Sequence, residues 1–585
     1  NKMNDFAGIY ENKNSNGHFL KVELKMNTLN TFGIGTKILV YQDSNLFRRD
    51  FYPVQGFQSS MLSPIHFGLP DTHIDSLLVY WPDGISVSKI YNFSSDTTIT
   101  LSISNFQQLN ELPAEIVPLF KTSEKSQFAF SHHQPAVNDF KIQPLIPNMV
   151  SYQGPKIAQS NNLFFVGDQL FQIDDNGIVF NMPFDSVGDI SNAVFFDANN
   201  DGQEDLYLVK GSYYPQNPAQ DLLFLQNDGS FQLKPDNLPP MVFYGSVAVP
   251  LDFDQDGDLD LFVGGRVVSG QYPKSPGSRL LINDGTGNFS DQTSEFGSVF
   301  QNLGMVTDAK WEDVDMDGNR ELIVTGEWMP IKFYNVHNEK FIDVSYKFIE
   351  AFHGWWNKLH LSDLDQDGDL DLIGGNFGLN NPFKPSFNEP LKLYYDDFDG
   401  NGFIDPIMTH YIQGKSWPYA TRDEITDQIV SLRQKFPNYE SYSEATITDI
   451  FPDSVWLHSP QLKADFLETT WFENKNGKFE PRKLPPQANF FPVYGIIADD
   501  FNGDGINDIL LAGNIEQTRI RIGRMDTGFG CMLIGKGDGQ FEYLPQSESG
   551  LNINGAVRSL ISHTTKNGKR LIIFGVNGKP IVVME

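Results

Sequence analysis

Short apolar runs alternate with loops rich in Asp, Asn and Gly along most of the chain. Runs of this length, bounded by turn-forming residues, are typical of β-strands rather than helices. Six loops, called the acidic loops below, share one nine-residue pattern, with Asp or Asn at positions 1, 3 and 5, Gly at position 6 and an acid at position 9. They are residues 197–205, 252–260, 313–321, 363–371, 397–405 and 500–508.

A second element recurs between these loops, namely an apolar strand followed by Asn, Gly and then Phe. It predicts hairpins at Leu223–Phe231, Leu281–Phe289 and Trp471–Phe479. A loop, strand and hairpin repeating at about 50 residues is typical of four-stranded β-propeller blades. Residues 150–185 and 555–585 have strands without an acidic loop, so we expect seven blades, with six or eight as alternatives.

The spacing of the acidic loops predicts one insertion. The loop at 397 follows the loop at 363 too soon for a new blade, so we expect both in the same blade. The wide gap before residue 500 predicts an insertion, placed at about 410–455. Thr421 and Glu424 form a capping-box pattern, and Ile425, Ile429, Leu432 and Phe436 fall on one helical face that Pro437 ends.

The predicted fold class is therefore all-β, with two domains. Residues 1–105 lack the repeat and alternate as strands, which predicts a small β-sandwich. Residues 106–150 are Pro-rich in two places and predict a linker. Residues 151–585 form the propeller with its helical insertion.

The acidic loops predict cation sites, because a Ca²⁺ ion takes roughly six to eight oxygen ligands. Side chains at positions 1, 3 and 5, a position 7 carbonyl and the position 9 acid would surround it, and Gly at position 6 permits the turn. Mg²⁺ requires a stricter octahedron, so we expect Ca²⁺ at about five or six sites. The alternative is a metal-free Asp-rich turn, which repulsion among clustered carboxylates disfavours.

The predicted metal-ligating positions are the odd-numbered positions of the acidic loops. They are Asp197, Asn199, Asp201, Gln203, Asp205, Asp252, Asp254, Asp256, Asp258, Asp260, Asp313, Asp315, Asp317, Asn319, Glu321, Asp363, Asp365, Asp367, Asp369, Asp371, Asp397, Asp399, Asn401, Phe403, Asp405, Asp500, Asn502, Asp504, Ile506 and Asp508. Asn401 and Asn502 lower the charge of their loops and predict weaker sites, and Glu321 is one methylene longer than Asp.

Composition excludes several function classes. Acidic residues number 74 against 43 basic ones, giving a formal net charge of −31, which disfavours binding to nucleic acid. The sequence holds no apolar stretch long enough for a membrane span. Its single cysteine, Cys531, lies in an apolar run and predicts a core residue. The chain begins at Asn1 without a signal peptide, from which we expect a mature or trimmed product.

Four tryptophans are candidate ligand or partner contacts, because aromatic rings in loops stack on sugars or anchor proteins. They are Trp328, Trp355, Trp356 and Trp417. Packing between blades is the favoured alternative for Trp355 and Trp356. No Ser/His/Asp spacing, phosphate-binding glycine loop or zinc motif is present in the sequence, so we expect no enzyme and no catalytic residues.

These motifs resemble known families. The acidic loops resemble the FG-GAP/VCBS repeats of integrin-α-like propellers. Gly33–Gly35, His66–Leu69 and Val79–Gly84 resemble the ASPIC/UnbV module, although Pro70 stands where that family usually has glycine. Gly354–Asn357, Gly375–Asn380 and the insertion are similar to large bacterial VCBS-repeat proteins carrying that module.

The resemblance implies an exported protein of the kind common in Bacteroidota, with human cartilage acidic protein as a more distant relative. It also implies that another propeller precedes residue 1 in the whole protein. We expect an extracellular or outer-membrane-surface scaffold that binds a protein or glycan. The alternatives are an accessory subunit of a SusC/SusD-type outer-membrane uptake complex and a propeller polysaccharide lyase or glycosidase.

Overall fold

The computed structural model describes residues 8–11, 13, 17–27, 29–56, 59–62, 64–105, 107–108, 117–133, 137–182, 184, 190–211, 213, 220–240 and 244–585. The chain divides into two compact units, Asn1–Ile116 and Val117–Glu585. Strands make up most of the regular structure in both units, which confirms the predicted all-β class. No helix in these ranges is both long and apolar enough to cross a membrane.

The first unit contains two sheets around one core. Its strands are β1 (His18–Lys25), β2 (Lys37–Gln42), β3 (Asn45–Asp50), β4 (Val54–Gly56), β5 (Ser59–Ser60), β6 (Ile65–Leu69), β7 (His73–Tyr80), β8 (Ser86–Ser94), β9 (Thr97–Ser102) and β10 (Gln107–Gln108). One sheet has the order β6-β1-β9, the other β10-β8-β7-β2-β3, and β4 pairs with β5. Alternate residues such as Leu20 and Val22 of β1 and Ile38 and Val40 of β2 are fully buried between them.

The second unit begins with four antiparallel sheets in chain order. Sheet 1 has β11 (Ile157–Ser160), β12 (Leu163–Val166), β13 (Gln169–Ile173) and β14 (Val179–Met182). Sheet 2 has β15 (Asn192–Phe196), β16 (Asp205–Val209), β17 (Leu222–Asn227) and β18 (Ser230–Leu233). Sheet 3 has β19 (Gly245–Leu251), β20 (Asp260–Gly265), β21 (Arg279–Asn283) and β22 (Phe289–Asp291), followed by the short helix α1 (Thr293–Phe296). Sheet 4 has β23 (Met305–Glu312), β24 (Glu321–Met329), β25 (Lys332–His337) and β26 (Lys340–Asp343), then α2 (Ser345–Phe348) and β27 (Gly354–Trp355), which pairs with β24.

Sheet 5 is interrupted by the insertion. Its first two strands are β28 (Lys358–Ser362) and β29 (Asp371–Gly375). The insertion follows, with β30 (Leu391–Asp396), β31 (Asp405–Ile412), β32 (Lys415–Pro418), α3 (Arg422–Gln428), α4 (Leu432–Lys435), α5 (Tyr439–Tyr442), α6 (Ile447–Ile450), α7 (Asp453–Trp456) and β33 (Gln461–Ala464). The sheet then ends with β34 (Thr470–Asn474) and β35 (Phe479–Arg482).

The insertion is larger than the predicted 410–455, because it carries a sheet of its own in the order β32-β31-β30-β33. The acidic loop 397–405 joins β30 to β31 of this inserted sheet, and the prediction that it lies in the same blade as loop 363–371 is wrong. The capping box of Thr421 and Glu424 is present as predicted. The predicted single helix is instead the pair α3 and α4, although Ile425 and Leu432 are still buried in one cluster.

Two further sheets complete the second unit. Sheet 6 has β36 (Val493–Asp499), β37 (Asp508–Gly513), β38 (Cys531–Gly535) and β39 (Phe541–Leu544), followed by α8 (Gln546–Ser549). Sheet 7 has β40 (Val557–Thr564), β41 (Arg570–Val576) and β42 (Val582–Met584). The first strands of consecutive sheets are neighbours from β11 through β40, and β40 in turn contacts β11. There the backbone N–H of Ile157 donates to Oγ of Ser559 at 3.1 Å.

The start of the second unit pairs with its end. Thr122 forms an antiparallel bridge with Met584, and the N–H groups of Lys121 and Ser123 donate to carbonyls of the last residues at 3.0 and 2.8 Å. The predicted linker comprised residues 106–150, and residues 117–150 of that segment belong to this unit. Their backbone satisfies the free edge of β42 in the three-stranded sheet 7.

Candidate metal centres

Each acidic loop connects the first strand of a sheet to its neighbour, and its first carboxylate organises the turn. In five of the six loops, this carboxylate accepts a hydrogen bond from the backbone N–H of the position 6 glycine, at 2.8 to 3.1 Å. Loop 252–260 lacks this bond among the described contacts. The shared hydrogen bond folds the loop back on its first acid, as expected for residues that encircle an ion.

Left-handed backbone explains the position 6 glycines. Their φ angles lie between 82° and 96°, and a Cβ added to any of them would meet no atom within 4 Å. Conformation rather than space therefore requires glycine there. Position 4 is also left-handed in every loop, with φ from 57° to 81°, and it is a non-glycine residue in four of them, such as Gln255 and Met316.

The position 9 acid is fully buried in all six loops. In sheet 5, the Asp371 carboxylate accepts from the backbone N–H of Leu364, at loop position 2, at 2.9 Å and from that of Asn474 on β34 at 2.8 Å. The same two kinds of bond hold Asp205, Asp260 and Asp508. The acid thus links the loop to the third strand of its sheet.

Two loops replace the second backbone donor with a side-chain amide. The Nδ2 group of Asn335 donates to Glu321 at 3.1 Å, and the Nε2 group of Gln428 on α3 donates to Asp405 at 2.6 Å. The helices of the insertion therefore complete the environment of loop 397–405. Glu321 occupies its position with a hydrogen bond to Val314 N at 3.3 Å, so the longer side chain keeps the same connection.

Burial and like charge make these carboxylates hard to ionise. Burial raises the pKa of Asp260, Glu321 and Asp371 to about 7 and that of Asp205 and Asp405 to about 6. The other acids of each loop raise the pKa further, whereas the N–H donors lower it. A bound cation would remove this repulsion and favour the charged form.

Four loops bring three acidic side chains together, with carboxylate oxygens within 4.8 Å of one another. The groups are Asp252, Asp254 and Asp256; Asp313, Asp315 and Glu321; Asp363, Asp365 and Asp371; and Asp397, Asp399 and Asp405. Oxygen ligands on opposite sides of a Ca²⁺ ion stand about 4.8 Å apart. Each group therefore has dimensions that fit one ion.

Unpartnered oxygens support this fit. The Oδ1 atoms of Asp252, Asp258 and Asp369 are buried, and no donor in the described part of the chain forms a hydrogen bond to them. A buried carboxylate oxygen without a donor is unfavourable, and a cation satisfies it. Asp258 and Asp369 occupy position 7, where we predicted only a backbone carbonyl. The carboxylates of these loops, including the buried position 9 acids such as Asp371, could therefore hold a hard cation.

Loops 197–205 and 500–508 differ, because position 3 is Asn199 in one and Asn502 in the other. The Nδ2 group of each donates to the acid at position 5, at 3.2 and 2.9 Å. The described residues of these two loops contain no group of three acids within 4.8 Å. Among the predicted position 7 residues, Gln203 accepts from Asp228 N, and Phe403 and Ile506 offer only their carbonyls.

Sequence reasoning missed the asparagines that connect neighbouring loops. Asn474 on β34 donates to the carbonyl of Val314, in the loop of sheet 4, at 2.8 Å and to that of Leu370, in the loop of its own sheet, at 3.1 Å. Asn283 on β21 makes the equivalent pair of bonds to Ala198 and Leu259. The Asn of the recurring hairpin element was the signal that could have identified them.

The structure corrects three of the four tryptophan candidates. Trp328, Trp355 and Trp356 are at most 2% exposed, so none offers a ring face to a ligand. The indole of Trp328 donates to the Tyr272 hydroxyl at 2.8 Å, and that of Trp356 donates to the Phe352 carbonyl. Only Trp417, which is half-buried, reaches the surface, and the Lys415 ammonium lies 4.0 Å from its ring centre.

Comparison with known proteins identifies two regions. Residues 26–108 match the family described as ASPIC and UnbV, and residues 197–263 match the FG-GAP-like repeat. The second match contains two acidic loops and the strands between them. The comparison with curated proteins gave no match.

Similarity to solved structures is distant. The extracellular domain of a one-component system from B. thetaiotaomicron has a TM-score of 0.33 and 10% identity, covering 79% of this chain and 39% of that one. The N-terminal domain of Nup159 has a TM-score of 0.31 and 11% identity, covering 80% of this chain and 98% of that one. These TM-scores are too low to support a conclusion. On the family matches, the chain carries an ASPIC/UnbV domain at residues 26–108 and an FG-GAP-like repeat at residues 197–263, as its motifs implied.

Proposed function

We propose that the second unit is a closed seven-bladed β-propeller whose blades are sheets 1 to 7. The contact of β40 with β11, and the pairing of residue 122 with β42, support closure of the ring. Closure by strands from both ends of a unit protects the sheet edges that a repeat array would otherwise expose.

The proposed function is that of a calcium-stabilised scaffold that binds a protein or glycan outside the cell. The observation that carries it is the convergence of three acids in each of four loops, together with buried carboxylate oxygens that have no donor among the described residues. Extracellular Ca²⁺ modules work at about 0.1–1 mM free ion, which favours an extracellular or cell-surface location. An ion in each loop would stabilise the folded state by RT ln(1 + c/Kd), where c is the free Ca²⁺ concentration, and the effect becomes appreciable once c exceeds the Kd.

The insertion is the proposed partner surface, because it separates the strands of sheet 5 with a sheet and helices of its own. Phe387 is 80% exposed, and Val430, Tyr439 and Leu457 are each more than half exposed. Exposed aromatic and aliphatic side chains of this size are typical of contact residues in interfaces.

An accessory role in a SusC/SusD-type outer-membrane complex rests on the resemblance alone. Co-purification of the native protein with membrane β-barrel proteins would support that role. We also expect no enzymatic activity, and a turnover screen against polysaccharides, set beside glycan-array binding, tests this expectation.

Metal analysis and melting curves test the calcium proposal. We expect at least four Ca²⁺ per chain after dialysis against Ca²⁺, and a lower melting temperature in EDTA. Adding Ca²⁺ should restore the melting temperature, and the same concentration of Mg²⁺ should restore it less. A protein that holds no Ca²⁺ and melts identically in EDTA would refute the assignment of these loops.

A further inference from the structure

A cavity of about 130 Å³ lies at the end of the first strands opposite the acidic loops. Residues at the beginning of β11, β15, β19, β23, β28, β36 and β40 line it, whereas the acidic loops follow the last residues of such strands. All seven sheets therefore contribute to one enclosed space within the second unit.

The lining is cationic in a strongly acidic protein. The cavity is lined by Lys156, Arg266, Lys358 and Arg558, and Asp308 is the one carboxylate among the described residues that line it. The chain as a whole has a net charge of −31, so this concentration of positive charge is a local feature. Converging cations of this kind raise the local concentration of anions.

Two of the cations have carboxylate partners. The Lys358 ammonium lies 3.1 Å from Asp308, which also accepts from the backbone N–H of Leu359 at 2.9 Å. Arg266 pairs with Glu327, and both side chains are buried. These pairs neutralise two of the four positive charges that line the cavity.

The other two cations are Lys156 and Arg558. In the described part of the chain, neither has a carboxylate oxygen within 4.0 Å, in contrast to Arg266 and Lys358. Arg558 donates to the carbonyls of Tyr152 and Asn514 at 2.8 Å and stacks over the Tyr494 ring. Among the residues that the structure describes, the Lys156 side chain makes no hydrogen bond, ion pair or ring contact. Burial is the main cause that lowers its pKa to about 7, and the positive charges of its neighbours add to this effect. An anion beside Lys156 would supply the missing counter-charge.

A neutral donor in the cavity wall also lacks an acceptor. The Nδ2 group of Asn357 is buried and makes no hydrogen bond in the described part of the chain. Such a group loses its hydration on burial and gains nothing in return unless a ligand or water accepts from it. The unpartnered amide therefore indicates that the cavity holds a hydrogen-bond acceptor, and this indication does not depend on the charges.

We propose that this cavity binds one small oxyanion through Lys156, Arg558 and the Asn357 amide. A volume of about 130 Å³ is well below the roughly 300–1,000 Å³ of pockets for drug-sized ligands, so the occupant is ion-sized. Sulfate, phosphate and a carboxylate group share the required chemistry, since each accepts several hydrogen bonds from cationic donors.

Calorimetric titration of the full chain in Ca²⁺ tests the site. Sulfate, phosphate and acetate are each added at constant ionic strength, with chloride as the compensating ion. We expect one site per chain for at least one oxyanion. The arms distinguish an inorganic tetrahedral ion from a carboxylate, which would represent the acidic group of a larger ligand.

Lys156→Gln is the informative variant, because removing an unpaired lysine leaves no carboxylate without its partner. We expect at least a tenfold loss of oxyanion affinity. Lys340→Gln is the matched control, since it removes the same charge from an exposed residue on β26, and its affinity should equal that of the wild type.

Equal weakening in both variants would mean that general electrostatics governs binding, and would overturn the proposal. No binding of any of the three anions would overturn it as well. A selenate soak gives direct evidence, because its anomalous signal should appear beside Lys156 and Arg558. Selenate found only at other positions would also contradict the proposal.

Discussion

The first strands of the sheets in the second unit have side chains of opposite charge at their two ends. At one end, each acidic loop gathers its own carboxylates, as Asp363, Asp365 and Asp371 do in sheet 5. At the other end, single residues from separate sheets, such as Lys156 and Arg558, form one cationic cavity. Both ends hold like charges close together, which is unfavourable without a counter-ion.

The two ends differ in which parts of the protein a counter-ion would stabilise. In an acidic loop, the buried position 9 carboxylate links two strands of one sheet, so a cation there stabilises each sheet separately. In the cavity, the charged groups come from several sheets, so an anion there would join sheets that are distant in sequence. Variants at the acidic end should lower stability, Asp371→Ala most of all, whereas a variant in the cavity should raise it.

Asp371→Ala should cause the largest loss of stability at the acidic end. It leaves the N–H groups of Leu364 and Asn474 without acceptors, which costs about 3 kcal/mol in EDTA. In Ca²⁺ the loss should be greater, because the variant also lacks a ligand. Chemical denaturation in both buffers measures the two losses.

Asp174→Ala is the control for that comparison, because sheet 1 has no acidic loop. The Asp174 carboxylate accepts from the N–H groups of Asn176 and Ile178 at 2.9 and 2.8 Å, and we expect a loss of about 1 kcal/mol in both buffers. If the loss for Asp371→Ala is the same with and without Ca²⁺, the acid serves only as a hydrogen-bond acceptor. The assignment of Asp371 as a ligand would then be wrong.

Asn474→Ala tests whether the acidic loops of neighbouring sheets depend on one another. The variant leaves the carbonyls of Val314 and Leu370 without their donor, and we expect a loss of about 2 kcal/mol. Asn227→Ala, at an exposed asparagine of β17, should change stability by less than about 0.5 kcal/mol. Similar losses in the two variants would show that Asn474 does not connect the loops.

The acidic end was predictable from sequence because its chemistry repeats. Spacing alone identified the six loops, and the left-handed glycines at position 6 follow from the turn. The same regularity caused an error, since loop 397–405 carries the pattern but lies on the inserted sheet. The residue pattern predicts the local turn, but it does not indicate to which sheet the turn belongs.

The cationic end was not predictable, because no periodicity marks it. Lys156 precedes β11, Arg266 follows β20, and Lys358 and Arg558 lie near the start of their strands. Only the packing of the first strands against one another brings these positions together. The pairing of residue 122 with β42 was missed for the same reason, since a contact between distant short segments leaves no local pattern.

Lys156→Gln should change stability in the opposite direction, by making the folded protein more stable. The pKa of Lys156 in the folded protein is about 7, lowered by burial and then by Lys358, Arg558 and Arg266, with Asp308 acting against them. Between that value and its ordinary value of 10.5, the unfolded chain binds a proton that the folded chain does not. Wild-type stability therefore falls as pH decreases through this window.

The glutamine variant has no charge to bury at this position. At pH 7 in chloride it should therefore be more stable than the wild type by about 2 kcal/mol. The advantage should shrink as the pH approaches 10, where wild-type Lys156 is neutral in the folded state. Saturating oxyanion should reverse the order at pH 7, because it stabilises the wild type by occupancy. If the difference in stability between the two proteins does not change with pH, Lys156 is well solvated in the folded state. The cavity would then hold no unbalanced charge at Lys156, unlike the acidic loops at the other end of the first strands.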